Sequence, residues 1–169
     1  MTLTNLEEIK EFLLREVTPT IKLLQSTEDD AVYKLVEPAV HVGWIPDNGF
    51  LPDDAVSIPC LVVGMEQSDM DEDDGSLSVV VTVAVCRYGL TNNTGALTDG
   101  LEGYKDLINL LDRTAAAVLR KRLLAPNLKL TSPVRQSMYK DQPYPYWYGK
   151  IMFTVSTDGY PCVAHDMNF

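Results

Sequence analysis

Leu77-Ser78-Val79-Val80-Val81-Thr82-Val83-Ala84-Val85-Cys86-Arg87-Tyr88 is the stretch on which the fold turns. Its valines and threonine are β-branched, and such side chains suit a pleated sheet better than a helix. Alternation puts Val79, Val81, Val83 and Val85 on one face and Val80, Thr82, Ala84 and Cys86 on the other. Neither face reads as fully solvated, so the register must be set by neighbouring strands. Residues 58–67, with Leu61-Val62-Val63 at their centre, read as the other arm of a hairpin. The connection Ser68-Asp69-Met70-Asp71-Glu72-Asp73-Asp74-Gly75-Ser76 is too acidic to be anything but solvent-facing.

Downstream, Tyr104, Leu107, Ile108, Leu111, Ala115, Val118, Leu119 and Arg122 recur at spacings of three and four. That period predicts a helix over about residues 101–124, laying one apolar stripe on a sheet. Thr98 or Asp99 is placed to cap it, Arg120, Lys121 and Arg122 suit the negative end of its dipole, and Pro126 follows its stop. Ala115-Ala116-Ala117 would allow a close approach to the sheet.

Upstream, Leu6, Ile9, Leu13 and Val17 predict an amphipathic N-terminal helix capped by Thr4 or Asn5 and ended by Pro19, with one more turn over residues 20–24. Residues 31–37 are ambiguous between helix and strand, 39–44 read as a short strand, and the Pro-, Asp- and Gly-rich residues 45–57 read as a long loop. After the long helix, residues 127–131, 134–139 and 149–156 read as strands, with Ile151, Phe153 and Val155 on one face of the last. Residues 157–169 show no period. The order helix, strands, helix, strands predicts a single α+β domain over 1–169, with a core from 6 to 156, a tail from 157, and both helices on a mainly antiparallel sheet.

Composition narrows the function classes. The 169 residues carry 24 Asp and Glu against 14 Lys and Arg, a formal net charge of −10. This balance disfavours specific nucleic-acid binding. No apolar run is long enough for a membrane span, and the first residues lack the basic start and apolar run of a signal peptide, so a cytosolic-type protein is expected. Cys60, Cys86 and Cys162 have no paired spacing, and the first two sit in apolar runs where a thiol behaves as a small hydrophobe.

Catalytic patterns are scarce. No GxGxxG, P-loop, CxxC or GxSxG motif is present. His41 sits in an apolar strand and reads as structural, and His165 beside Asp166 reads as a surface residue. Cys86 beside Arg87 has the one local charge that could lower a thiol pKa, but no positioned histidine accompanies it. Asp69, Asp71 and Asp73 share the alternate spacing of the first ligands of a calcium loop. The sixth position is Asp74 instead of glycine and the twelfth is Val80 instead of Glu, so a solvated hairpin tip is expected. No catalytic residue, cofactor or metal site is therefore assigned.

The unusual segment is Gln142-Pro143-Tyr144-Pro145-Tyr146-Trp147-Tyr148. Its prolines predict a stiff, polyproline-like ribbon, and its aromatics either form a protein contact or cover the end of the core. Candidate protein-contact residues are accordingly Asp69, Asp71, Glu72, Asp73 and Asp74 in the hairpin, and Tyr144, Tyr146 and Trp147 in the ribbon.

Taken together, several local patterns carry a resemblance. They are the N-terminal helix, the strand Ile58-Pro59-Cys60-Leu61-Val62-Val63-Gly64 leading through an acidic hairpin, the helix opening Gly103-Tyr104-Lys105-Asp106-Leu107, and the final strand introduced by Gln142-Pro143-Tyr144-Pro145-Tyr146-Trp147. Over residues 6–156 this order resembles the tail-terminator, or tail-completion, proteins of tailed bacteriophages and prophages. The resemblance implies an α+β subunit that closes into a ring, a hexamer in the virion, with monomers allowed in solution. The ring caps the finished tail tube and offers its other face to head–neck connector proteins. It also implies assembly in the host cytoplasm and residence in the virion tail. A negative ring lumen would let DNA slide past without sticking. The long loop at 45–57 and the tail after 157 depart from the pattern. Two other readings stay open: a head–tail connector or minor capsid protein, and a small ligand-binding domain or enzyme with a concave pocket.

Overall fold

The computed structural model describes residues 2–25, 34–47, 50–51, 57–88, 90–91, 97–98 and 102–158. Its elements in chain order are α1 (Thr2–Glu16), a 3-10 turn (Thr18–Thr20), β1 (Leu23–Leu24), β2 (Leu35–Val36), β3 (Ala39–Val42), β4 (Cys60–Met70) and β5 (Asp74–Cys86). There follow β6 (Leu90–Thr91), β7 (Leu97–Thr98), α2 (Glu102–Lys121), β8 (Leu123–Ala125), β9 (Leu128–Leu130), β10 (Arg135–Met138) and β11 (Tyr146–Asp158). A seven-stranded sheet runs β3-β4-β5-β11-β9-β8, with β10 pairing a second stretch of β11. Every pairing in it is antiparallel except β3 with β4. The fold is α+β, as the element order predicts.

The valine-rich strand explains this architecture. Leu77, Val79, Val81, Val83 and Val85 of β5 are all buried on the helix side, where Leu61 and Val63 of β4 and Ile151, Phe153 and Val155 of β11 join them. Onto this face α1 lays Leu6, Ile9, Phe12 and Leu13, and α2 lays Leu107, Leu110, Leu111, Ala117 and Val118. The opposite face of β5 is graded. Ser78, Val80 and Thr82 are half-buried, whereas Ala84 and Cys86 are buried in a second small core with Ile58, Cys60 and Val62. Both sides of the strand look apolar in sequence because both sides are packed at one end.

Several expectations need correction. The long helix ends at Lys121, because Arg122 adopts a left-handed φ of 56° and turns the chain into β8, which pairs back on β9. Its buried face includes Leu110, Thr114 and Ala117, while Tyr104 and Leu119 of the predicted stripe are exposed. Thr114 is tolerated there because its hydroxyl donates to the Leu110 carbonyl at 2.8 Å. At the N-terminus, α1 already includes Thr4 and Asn5, so neither is its cap. Residues 20–24 add no helical turn, because after the proline-started 3-10 turn Ile21 is extended and Leu23–Leu24 pairs with Leu35–Val36. Finally, the acidic connection is mostly strand, since β4 and β5 run to Met70 and from Asp74 and leave only Asp71, Glu72 and Asp73 as the turn.

The core also continues past 156, where β11 reaches Asp158 and Thr157 is buried. Residue 99, as a helix cap, and Cys162 and His165 in the tail lie outside the described residues. So does much of the predicted 45–57 loop. Among the described residues no helix is long and apolar enough to cross a membrane.

Candidate interaction surface

The β4–β5 hairpin is paired along its outer edge for only part of its length. β3 runs beside Cys60 to Val63, and the Gly43 N–H adds one bond to the Val63 carbonyl at 2.9 Å. Gly43 has φ +84°, a conformation that glycine adopts without steric cost, and the chain turns off the sheet there. From Gly64 to Met70 no described strand pairs with the outer edge of β4. A register shift between Met65 and Gln67 leaves Glu66 as the extra residue, a bulge of the kind that protects open edges. Met65, Glu66, Gln67 and Asp69 are exposed along it.

At the tip, one acid organises the turn. Asp71 Oδ1 accepts the N–H groups of Asp73 at 2.9 Å and Asp74 at 2.7 Å, and the Asp71 N–H donates to the Asp74 carbonyl at 2.9 Å. These N–H groups, Asp74's first, hold the Asp71 carboxyl below the usual carboxylate range. Asp69 accepts a bond from Gln67 Nε2 at 2.8 Å, and Glu72, Asp73 and Asp74 are exposed. Among the described residues no group of three His, Cys, Asp or Glu side chains is placed to hold a metal ion.

A prediction follows from the Asp71 geometry. Asp71→Asn keeps an acceptor oxygen and leaves the fold intact, and calcium leaves the wild-type melting temperature unchanged. Because the folded carboxyl sits below its unfolded value of about 3.9, its contribution is fully present above that pH and fades as pH falls through the folded value. Melting temperatures followed from pH 7 into acid should therefore show a smaller acid loss in the Asn variant. Identical curves would count against the assignment.

The aromatic segment is not a polyproline ribbon. The Tyr144–Pro145 peptide is cis, and the Tyr146 N–H closes a turn on the Pro143 carbonyl at 2.8 Å. Turns with a cis-proline in third place have this form. Tyr146 then opens β11 opposite Cys86, with Trp147 opposite Val85 and Tyr148 opposite Ala84. Alternation splits the aromatics between faces. Trp147 packs on the main core, edge-on to Tyr104 at 6.4 Å, and a Cβ at Gly103 would overlap its indole. Tyr146 and Tyr148 pack on the second core, 6.3 Å apart. Trp147 and Tyr146 are thus largely committed to packing, and Tyr144, 56% exposed, is the aromatic of the three at the surface.

Sequence reasoning missed Gln142, whose side chain acts as a short strand. Its Nε2 donates to the carbonyls of Tyr139 at 2.7 Å and Tyr148 at 2.8 Å, and its Oε1 accepts the Tyr148 N–H at 2.7 Å. Nothing local in the sequence marks it, because the partners are set by how the loop closes. Also missed is an exposed edge-on pair, Trp44 and Phe50, with centroids 5.9 Å apart where the chain leaves β3.

His41, Cys60 and Cys86 are built into packing. His41 is half-buried with Nε2 3.3 Å from the Ser57 carbonyl, and burial lowers its pKa. Burial pushes the Cys60 thiol up to about 12, so it is protonated at neutral pH. Arg87 is engaged by two carboxylates. Its guanidinium lies 3.8 Å from Glu102 and 3.7 Å from Asp106, fastening the end of β5 to the start of α2. Burial raises the Asp106 pKa, and Arg87 opposes that rise. A depression lined by Thr4, Asn5, Glu8, Asn127 and Asp158 lies at the start of α1 beside the end of β11, on neither His41 nor Cys86. No protein-family model matches the sequence, and no curated protein matches it.

Proposed function

We propose that this chain is a structural subunit of tailed-phage or prophage tail assembly, which closes the end of the tail tube as a ring and joins it to the head–neck connector. The reading rests on the resemblance in element order and on an α+β frame that accommodates it. One observation carries it: the β4–β5 hairpin runs past its last β3 partner and offers an open strand edge and an acidic tip. Open edges are a liability unless something covers them, and assembly supplies the cover. A ring requires the subunit to present two different surfaces, one to each neighbour.

The test is to mix the purified chain with assembled tail-tube protein and, separately, with the head-side connector. The expected result is co-sedimentation with tubes, arrest of their growth, and rings at tube ends in electron micrographs. Binding to the connector alone would favour a connector or minor capsid role. Binding to neither would overturn the proposal.

A further inference from the structure

Among the sheet edges that lack a strand partner in the described residues, which include the outer sides of the end strands β3 and β8, two carry opposite charge. The first is the outer edge of β4 from Gly64 to Met70. Residues 64–76 hold six Asp and Glu and no Lys or Arg. The second is the outer edge of β10, which pairs only with β11. Around it the charge reverses: Arg135 lies on β10, Lys140 just beyond it and Lys150 opposite Ser137 on β11, against Asp141 in the following loop and Asp112 of α2, which Gln136 engages on the helix side. A protein with ten net negative charges therefore carries a local basic border.

The side chains also point compatibly. On β10, Gln136 donates to Asp112 of α2 at 2.9 Å and Met138 packs on the main core, so Arg135 and Ser137 face the other side of the sheet. There the Tyr139 hydroxyl meets that of Thr82 at 3.0 Å, and Lys150 Nζ lies 5.4 Å from the Tyr139 ring. On β4, Gln67 and Asp69 lie opposite Ser78 and Ser76 of β5, on that same side. The two edges flank the β4-β5-β11-β10 section on opposite borders, as head-to-tail assembly needs. Charge selects that arrangement, because β4 against β4 would oppose Glu66 and Asp69 to themselves, and β10 against β10 would do the same with Arg135. Like charges across a strand pair are destabilising.

We propose that the open half of β4 in one copy of this chain adds to the β10 edge of the next, acidic border on basic border. The proposal rests on the self-assembly in the function proposed above and supplies the surface for it.

Three chains test it by sedimentation velocity: wild type, Glu66→Lys with Asp69→Lys, and Arg135→Glu with Lys140→Glu. All four positions are exposed, so circular dichroism should show each variant folded. Wild type should associate at about 0.01 M salt and less at about 1 M, where screening is short-ranged. Each reversed variant alone should associate at least about tenfold more weakly. Mixing the two variants pairs reversed with reversed edges and should restore assembly. Variants that associate like wild type, a mixture that fails to recover, or a wild type that stays monomeric in both salts would overturn the proposal. Recovery without tube binding would retain this surface and remove the tail role. Tube capping without recovery would do the opposite.

Discussion

Leu111→Asp abolishes cooperative folding. Leu111 is 1% exposed on α2, and its methyl groups reach the β11 backbone at Gly149. Removing a buried leucine side chain down to alanine costs about 2–5 kcal/mol. The aspartate adds an unpartnered polar group in an apolar site, about 1–3 kcal/mol more, and rather more if it stays charged. Together these approach the about 5–15 kcal/mol that holds a typical domain folded. The measurement is urea unfolding followed by circular dichroism, with Leu119→Asp as its companion. Spacing alone puts Leu119 in the same apolar stripe, but it is 48% exposed. Its substitution should change stability by only about 0.5 kcal/mol. Equal losses at the two positions would mean that α2 is rotated from the orientation described.

Gly149→Val has the second largest expected effect. A Cβ at this position would stand 2.9 Å from Leu111 Cδ1 and 3.3 Å from Leu107 Cδ1. Alanine can be accommodated by small shifts of those leucine ends. Valine adds two further carbons and must push α2 away from β11, at about 1–3 kcal/mol or above. The diagnostic is coupling. In a Leu111→Ala background the valine enters the vacated space, so the double variant should be more stable than the sum of the two losses predicts, by about 0.5–3 kcal/mol. Strict additivity would show that the glycine and the leucine do not meet.

Much of the fold was legible because its signals are periodic. The β-branched run of β5 and the alternation of Ile151, Phe153 and Val155 each encode a buried face and are buried as read, whereas the 3-4 spacing of α2 places Leu107, Leu111 and Val118 in the core but misses Leu110, Thr114 and Ala117. What failed was set by non-periodic geometry. Arg122 ends α2 by adopting a positive φ that no composition rule assigns to arginine, and this turned an expected last helical turn into β8. The candidate contact residues were only partly legible, for a similar reason. Asp69 to Asp74 could be recognised as solvent-facing from their charge, but the role of Asp71 as the acceptor that shapes the tip depends on two N–H groups converging on one oxygen. Tyr146 and Trp147 read as one ribbon, yet strand alternation sends them to opposite cores. The basic border joins Arg135 of β10, Lys140 after it and Lys150 of β11, and the last reaches it only because β11 pairs beside β10.

β11 threads between β5 on one flank and both β9 and β10 on the other, pairing with β5 over all 13 of its residues. Its partner is completed some sixty positions earlier in synthesis. Until β11 emerges from the ribosome, the flank of β5 that it will cover stays open beside a valine-rich surface. Productive maturation therefore hinges on late arrival of one long segment, a non-local closure that is slow and vulnerable to wrong pairing in the interval.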